Sequence, residues 1–338
     1  MATRTFEDVE AKRTKVPLMV GLMGPSGGGK TFSALRLATG IQRVTGGDIY
    51  LVDTESRRGL HYADHFRYRH VPFVAPFGPL DYLGAIEHCV KRGAGVVIVD
   101  SMSHEHEGPG GVLEMHQAEV ERMSRGDANK AERVKMLAWA KPKQERRRMI
   151  NTLLQMPVSA IFCFRAKEKL KIKPGQDPKP MGFMPIAGEE FVYEMALNCL
   201  LLPNAGGVPT WQSDELGERA MIKRPEQFRA IFAESKPLCE EHGEGLARWA
   251  EGGGTASAPS ATFGALSARI AAASTLAQLE ALATELADVK EKRSIPAPEF
   301  RALRAAYVER QAALKTGPAP ASEDDDGPPD LPEPGSDG

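Results

Sequence analysis

The chain has 338 residues, 42% hydrophobic and 26% charged, with a formal net charge of −2 at pH 7. Such a chain is long enough for one large domain plus an appendage. Its four cysteines, Cys89, Cys163, Cys199 and Cys239, are far apart and form no C-x-x-C pair, which suits reduced, buried thiols better than disulfides or a zinc site. Met1 to Lys15 is polar with mixed charge, and no run approaches the length of a membrane span, so the expected location is cytoplasmic.

After an N-terminal segment, residues 1–16, the apolar run Pro17-Leu18-Met19-Val20-Gly21-Leu22-Met23 reads as a buried strand over 17–23. It leads into Gly24-Pro25-Ser26-Gly27-Gly28-Gly29-Lys30-Thr31, which meets the phosphate-loop pattern G-x-x-x-x-G-K-[ST] at every fixed position. The glycines let backbone N–H groups turn around a phosphate, Lys30 reaches its outer oxygens, and Thr31 offers a hydroxyl to Mg²⁺. A helix is predicted over 30–44, with Phe32, Leu35, Ala38 and Ile41 on one face, so an anion would sit at its N-terminus. A chance glycine-rich turn would lack these flanks.

A second strand, 48–53, ends in Asp53-Thr54-Glu55. That puts a carboxylate at the edge where open α/β sheets bind ligands, and Glu55 there can orient water for in-line attack. Capping of a following helix, or pairing with Arg57 or Arg58, is the plainer alternative. A kinase for small molecules does not need such an acid. A strand over 71–75 and a helix over 79–92 precede Gly95-Val96-Val97-Ile98-Val99-Asp100-Ser101, an apolar strand (95–100) beside the phosphate loop whose terminal Asp100 is the candidate for holding Mg²⁺. His104-Glu105-His106 follows. With no third ligand nearby it reads as polar loop surface and not a metal site.

Helices over 111–124 and 139–155 come next, the second carrying Arg146-Arg147-Arg148, a basic face for nucleic acid or for a neighbouring subunit, or a solvated surface. The strand 158–164 delivers Arg165 to the same sheet edge as Lys30, Glu55 and Asp100, where it can sense a γ-phosphate. Beyond it Lys167, Lys169, Lys171, Lys173 and Lys179 punctuate a segment with Pro174-Gly175, ending at Met181-Gly182-Phe183. Such a loop neutralises nucleic-acid phosphates, with Phe183 as a stacking face; a hairpin whose lysines guard an edge strand fits the same residues. A strand over 196–202, a turn at 203–207 and a returning strand over 217–223 complete the core. Lys223-Arg224 at its end is a candidate cation for a neighbour's γ-phosphate, or an unpartnered strand charge. Residues 251–261 read as a flexible linker, and leucines at helical spacing on both sides of Ser294-Ile295-Pro296 as a helical hairpin. The acidic, Pro-rich stretch from Gly317 onward cannot bury enough apolar surface to fold.

The fold class is α/β, a mostly parallel sheet. The phosphate loop, the Asp-x-Glu at the end of the next strand and Val96 to Ser101 together resemble the ATPase core of RecA-fold proteins. More narrowly, with the strand ending Cys163-Phe164-Arg165-Ala166-Lys167-Glu168-Lys169, they are similar to phage-encoded RecA-like ATPases of single-strand annealing and recombination, over residues 12–235. The resemblance implies ATP and Mg²⁺ as cofactors, single-stranded DNA as partner, and a homo-oligomer, filament or ring, with nucleotide between subunits. Lys30, Thr31, Asp100, Glu55, Arg165 and Lys223 would then form the ATP site and the lysines a DNA contact. The expected organisation is a core over 17–235, a helix and linker over 236–261, a helical hairpin over 262–315 and an acidic tail over 316–338. A hexameric helicase or helicase loader, and a nucleotide-gated adaptor recruiting a single-strand binding protein, share the same core residues.

Overall fold

A computed structural model describes residues 8, 10, 11, 14–172, 178–252, 261–291 and 297–316. The chain divides into two units, residues 1–254 and 255–338. In the first, the elements run β1 (Met19–Gly24), α1 (Lys30–Thr45), β2 (Asp48–Asp53), β3 (Arg69–Pro72), α2 (Pro79–Lys91), β4 (Ala94–Asp100), α3 (His104–Glu107), α4 (Val112–Ser124), α5 (Ala128–Val134), α6 (Ala140–Leu153), β5 (Ser159–Lys171), β6 (Lys179–Pro185), α7 (Glu189–Tyr193), β7 (Leu197–Leu200), α8 (Leu216–Met221) and α9 (Glu240–Ala250).

The sheet order is β3-β2-β4-β5-β1-β7, all parallel, with β6 added antiparallel to the outer part of β5. This is a mostly parallel α/β sheet with a core on each face. The strand ending in Asp100 is not next to the phosphate-loop strand: β5 lies between them. β1 is buried along its whole length, as expected for a parallel strand covered on both faces. Its side chains alternate between two cores. Leu18, Val20 and Leu22 pack with Leu35, Leu37, Ala38 and Ile41 of α1 and Leu246 of α9. Met19 and Met23 pack on the other face with Tyr82 and Ile86 of α2, Met149 and Leu153 of α6, and Phe191 of α7.

Parallel registry aligns the strand ends. Asp53 lies opposite Asp100, Asp100 opposite Cys163, and Gly24 opposite Arg165, so the residues that follow these strands emerge along one sheet edge.

Three expectations need correcting. The segment 217–223 is not a strand: Leu216–Met221 forms α8, whose Glu218 turns inward to accept the Phe183 N–H at 2.7 Å and the Ser213 hydroxyl at 2.6 Å. Only Lys223 forms an isolated antiparallel bridge, with Asn198. Of the two readings of the basic segment after Arg165, the loop is corrected over its described length and the hairpin is what forms, because β5 continues to Lys171 and pairs antiparallel with β6. In the second unit the hairpin of α11 (Leu276–Glu291) and α12 (Ala297–Thr316) is joined by a third helix, α10 (Ala261–Ala272), around Leu266, Ile270, Leu279, Leu282 and Leu303. Lys173, the 294–296 turn and the acidic tail lie outside the described residues. Among the described residues no helix is long and apolar enough to cross a membrane.

Candidate active site

The phosphate loop leaves β1 and enters α1 through Gly27 and Gly29, whose φ angles of 81° and 83° lie in the region that only glycine enters at no steric cost. No side chain caps the first N–H groups of α1, so they remain available to an anion, reinforced by the helix dipole. Lys30 folds back into the loop, donating to the carbonyls of Gly24 at 2.9 Å and Pro25 at 2.8 Å. Burial lowers its pKa, opposed by nearby negative charge including that of Asp100 and Glu55. An ammonium held by loop carbonyls at modest cost can exchange them for phosphate oxygens.

Thr31 Oγ1 donates to Asp100 Oδ2 at 2.5 Å, linking the start of α1 to the end of β4. Asp100 is buried, and burial pushes its pKa up to about 6; the Thr31 hydroxyl and Lys30 offset this only in part. It is therefore a carboxylate short of positive charge. A hard hydroxyl and carboxylate in contact suit Mg²⁺, which takes few protein ligands and fills its shell with water and phosphate oxygens. Among the described residues no group of three metal-binding side chains comes together. His104, Glu105 and His106 diverge: His104 meets Thr54, while Glu105 and His106 both turn to Arg146.

Glu55 sits on the turn after β2. Asp53 builds that turn: its carboxylate accepts the N–H groups of Glu55 at 2.8 Å and Gly59 at 2.9 Å, and meets His70 Nε2 at 2.9 Å. Ser56 and Arg57 take positive φ angles of 56° and 68°, which non-glycine residues adopt at some cost and which concentrate where function constrains a loop. Arg165 grips Glu55 with both arms, Nε on Oε1 at 2.8 Å and Nη2 on Oε2 at 2.5 Å. Each carboxylate oxygen keeps a second lone pair, so the pair orients Glu55 without closing it to water. The Arg165 backbone N–H is fixed in turn by Ser103 Oγ at 2.9 Å.

The structure thus brings Gly24 to Thr31, Glu55, Asp100 and Arg165 to one edge. It does not bring Lys223 there. That ammonium donates to the carbonyls of Met195 at 2.8 Å and Tyr193 at 3.2 Å, just before β7 begins, and so lies at the opposite end of the strands. Arg224 bonds the Phe232 carbonyl and covers Trp211. Arg146 is not a solvated face either. It is buried, bidentate to Glu105 at 2.8 and 2.9 Å, and bonded to Glu190 and His106.

Along the β5–β6 ribbon, directly paired residues share a face. Lys167, Lys169 and Lys171 alternate along β5, and Lys179 stands opposite Lys171. All four are exposed; Lys167 lies 3.7 Å from Glu107. Phe183 is half-buried against the core, and its N–H is held by Glu218, so it is not a free stacking platform.

Two features escaped the sequence reading. Phe32, directly after Thr31, is exposed and forms an aromatic cluster with Phe66 at 5.4 Å and Tyr62 at 6.1 Å. His104 stacks on Phe77 and contacts Thr54.

The fold and the loop define a phosphate-binding site of the P-loop class on an α/β sheet. No protein-family model and no curated protein matches the chain. Among solved structures the chain is similar to a KaiC-like protein from the hyperthermophilic archaeon Pyrococcus horikoshii, with 15% sequence identity over 53% of this chain and 88% of that one and a TM-score of 0.28.

Proposed function

We propose that the protein is an ATPase that couples hydrolysis to its hold on single-stranded DNA, working as a homo-oligomer in phage or prophage recombination or annealing. The loop N–H groups and Lys30 bind the phosphates, Thr31 and Asp100 hold Mg²⁺, and Glu55 orients the attacking water. The metal, when bound, offsets the charge that develops on the phosphate oxygens. Phe32 and Tyr62 offer the base an aromatic face beside Thr31.

The observation that carries this reading is the continuity of β5. Arg165 touches the water-orienting Glu55, and two residues further the same strand begins a ribbon of lysines. Lysines set directly opposite one another repel, and a polyanion removes that repulsion while releasing its counterions. Steady-state ATP turnover with and without single-stranded DNA tests the proposal. Stimulation that falls as salt rises is the expected result. Turnover indifferent to DNA removes the coupling, and no turnover removes the ATPase.

A further inference from the structure

The turn that carries Glu55 is held from the edge of the sheet. Asp53 ends β2 and is buried, and its carboxylate reaches forward along its own chain. Oδ1 accepts the Glu55 N–H at 2.8 Å and Oδ2 accepts the Gly59 N–H at 2.9 Å. The first contact is an Asx turn, in which a side chain bonds the backbone two residues on. Between the two anchored N–H groups lie Ser56 and Arg57, with φ of 56° and 68°, conformations that persist only where the surroundings over-determine them.

One neighbouring segment grips the far side of this turn. His70 of β3 brings Nε2 to 2.9 Å from Asp53 Oδ2, and Tyr68, two residues before it, donates its hydroxyl to the Gly59 carbonyl at 2.6 Å. β3 runs parallel to β2 with Tyr50 opposite Arg69 and Leu51 opposite His70, which brings this segment alongside the turn. Glu55 thus has two holds. Its carboxylate is on Arg165, which stands opposite Gly24 at the start of the phosphate loop, and its backbone is on Asp53. The first aims the side chain, and the second fixes its root.

We propose that Tyr68 and His70 are positioning residues for ATP hydrolysis, holding through Gly59 and Asp53 the turn from which Glu55 orients the attacking water. They act on the turn and not on the nucleotide, so they bear on the chemical step and leave binding to the phosphate loop. This inference rests on the ATPase reading above and extends it to the edge of the sheet.

The test uses the full chain carrying His70→Leu, which keeps bulk and loses the polar contact, or His70→Gln, whose amide can still reach Asp53. A further variant adds Tyr68→Phe, which loses only a hydroxyl, to His70→Leu. Sites able to bind are counted with a fluorescent ATP analogue, so that turnover is expressed per folded site. His70→Leu is expected to lower kcat about 10-fold and the double variant about 10²-fold, the scale of an ångström misplacement near the reacting atoms, with KM changed only a few-fold. His70→Gln should keep most of the wild-type kcat. A merely structural role would lower the number of binding sites and leave kcat per site unchanged. Wild-type kcat per site in the double variant, or His70→Gln as impaired as His70→Leu, overturns the assignment. If Glu55→Gln abolishes turnover and the double variant does not, Tyr68 and His70 fall alone and the ATPase reading stands. If wild type turns over no ATP, the ATPase reading falls and takes this inference with it.

Discussion

β5 is one strand with two environments, and its halves follow different rules. Ala160 to Phe164 is fully buried, with β1 and β4 as parallel neighbours on either side. Lys167 to Lys171 is exposed throughout and has β6 as its antiparallel neighbour. The inner half is apolar because both of its faces are covered; the outer half sets Lys171 directly against Lys179, a pairing that costs a hairpin stability. Under the proposed function that cost is relieved when a negatively charged partner binds, whereas the inner half holds a strand end still. Arg165 is the joint between them, with its N–H on Ser103 and its guanidinium on Glu55.

If the halves have separate jobs, substitutions should separate them. The largest effect belongs at the inner end. Glu55→Gln keeps the shape but loses the charge that Arg165 grips, and turnover should fall about 10²- to 10⁴-fold while ATP binding, followed by a fluorescent analogue, persists. Unchanged turnover would remove Glu55 from the chemistry. In the outer half, Lys169→Glu with Lys171→Glu would remove two of the proposed phosphate contacts. The slope of log affinity for single-stranded DNA against log salt should flatten by about 1.4, at roughly 0.7 per contact. An unaltered slope would mean that DNA does not touch this face.

A smaller effect tests the ribbon's seat. Gly182 in β6 has φ of 68°, and a Cβ there would collide with Glu218 Oε1. Gly182→Ala should destabilise the protein by about 1–3 kcal/mol, measured by denaturant unfolding. The smallest effect concerns Asp100. Its folded pKa, about 6, lies above the ordinary 3.8, so its charge opposes folding above pH 6, and that opposition fades as pH falls through 6 toward 3.8. Asp100→Asn should therefore raise the stability of the nucleotide-free protein by up to about 3 kcal/mol at neutral pH, with the gain shrinking by pH 4, while Mg²⁺-dependent turnover is lost. A stability gain independent of pH would contradict the buried charge.

Local pattern made much of the fold readable. The continuous apolar runs of β1 and β4 and the glycine-rich turn into α1 carry their structure in adjacent residues, and the strand ends at Asp53 and Asp100 follow from them. Misreadings arose where the deciding partner is distant in sequence. Lysines alternating with Glu168 and Leu170 fit a loop and a hairpin equally well, and only the pairing with β6 decides for the hairpin. The segment 217–223 has a strand-like apolar end, but Glu218 finds its partners on β6 and at Ser213 and so belongs to a helix. Arg146 looks like one of three surface arginines, yet its partner Glu105 stands 41 positions earlier. His104 and Thr54 are 50 positions apart and meet only because β2 and β4 are neighbours in the sheet. A histidine shortly after an acid-ending strand was the available signal, and the sequence offered nothing to say which hydroxyl it would meet.

The central claim is that β5 ties hydrolysis to DNA, and the most direct measurement is the ratio of ATP turnover with single-stranded DNA to turnover without it, in wild type and in the Lys169→Glu, Lys171→Glu variant. The account predicts a ratio well above one for wild type that falls toward one in the variant. A wild-type ratio of one, or an equally raised ratio in the variant, would contradict it.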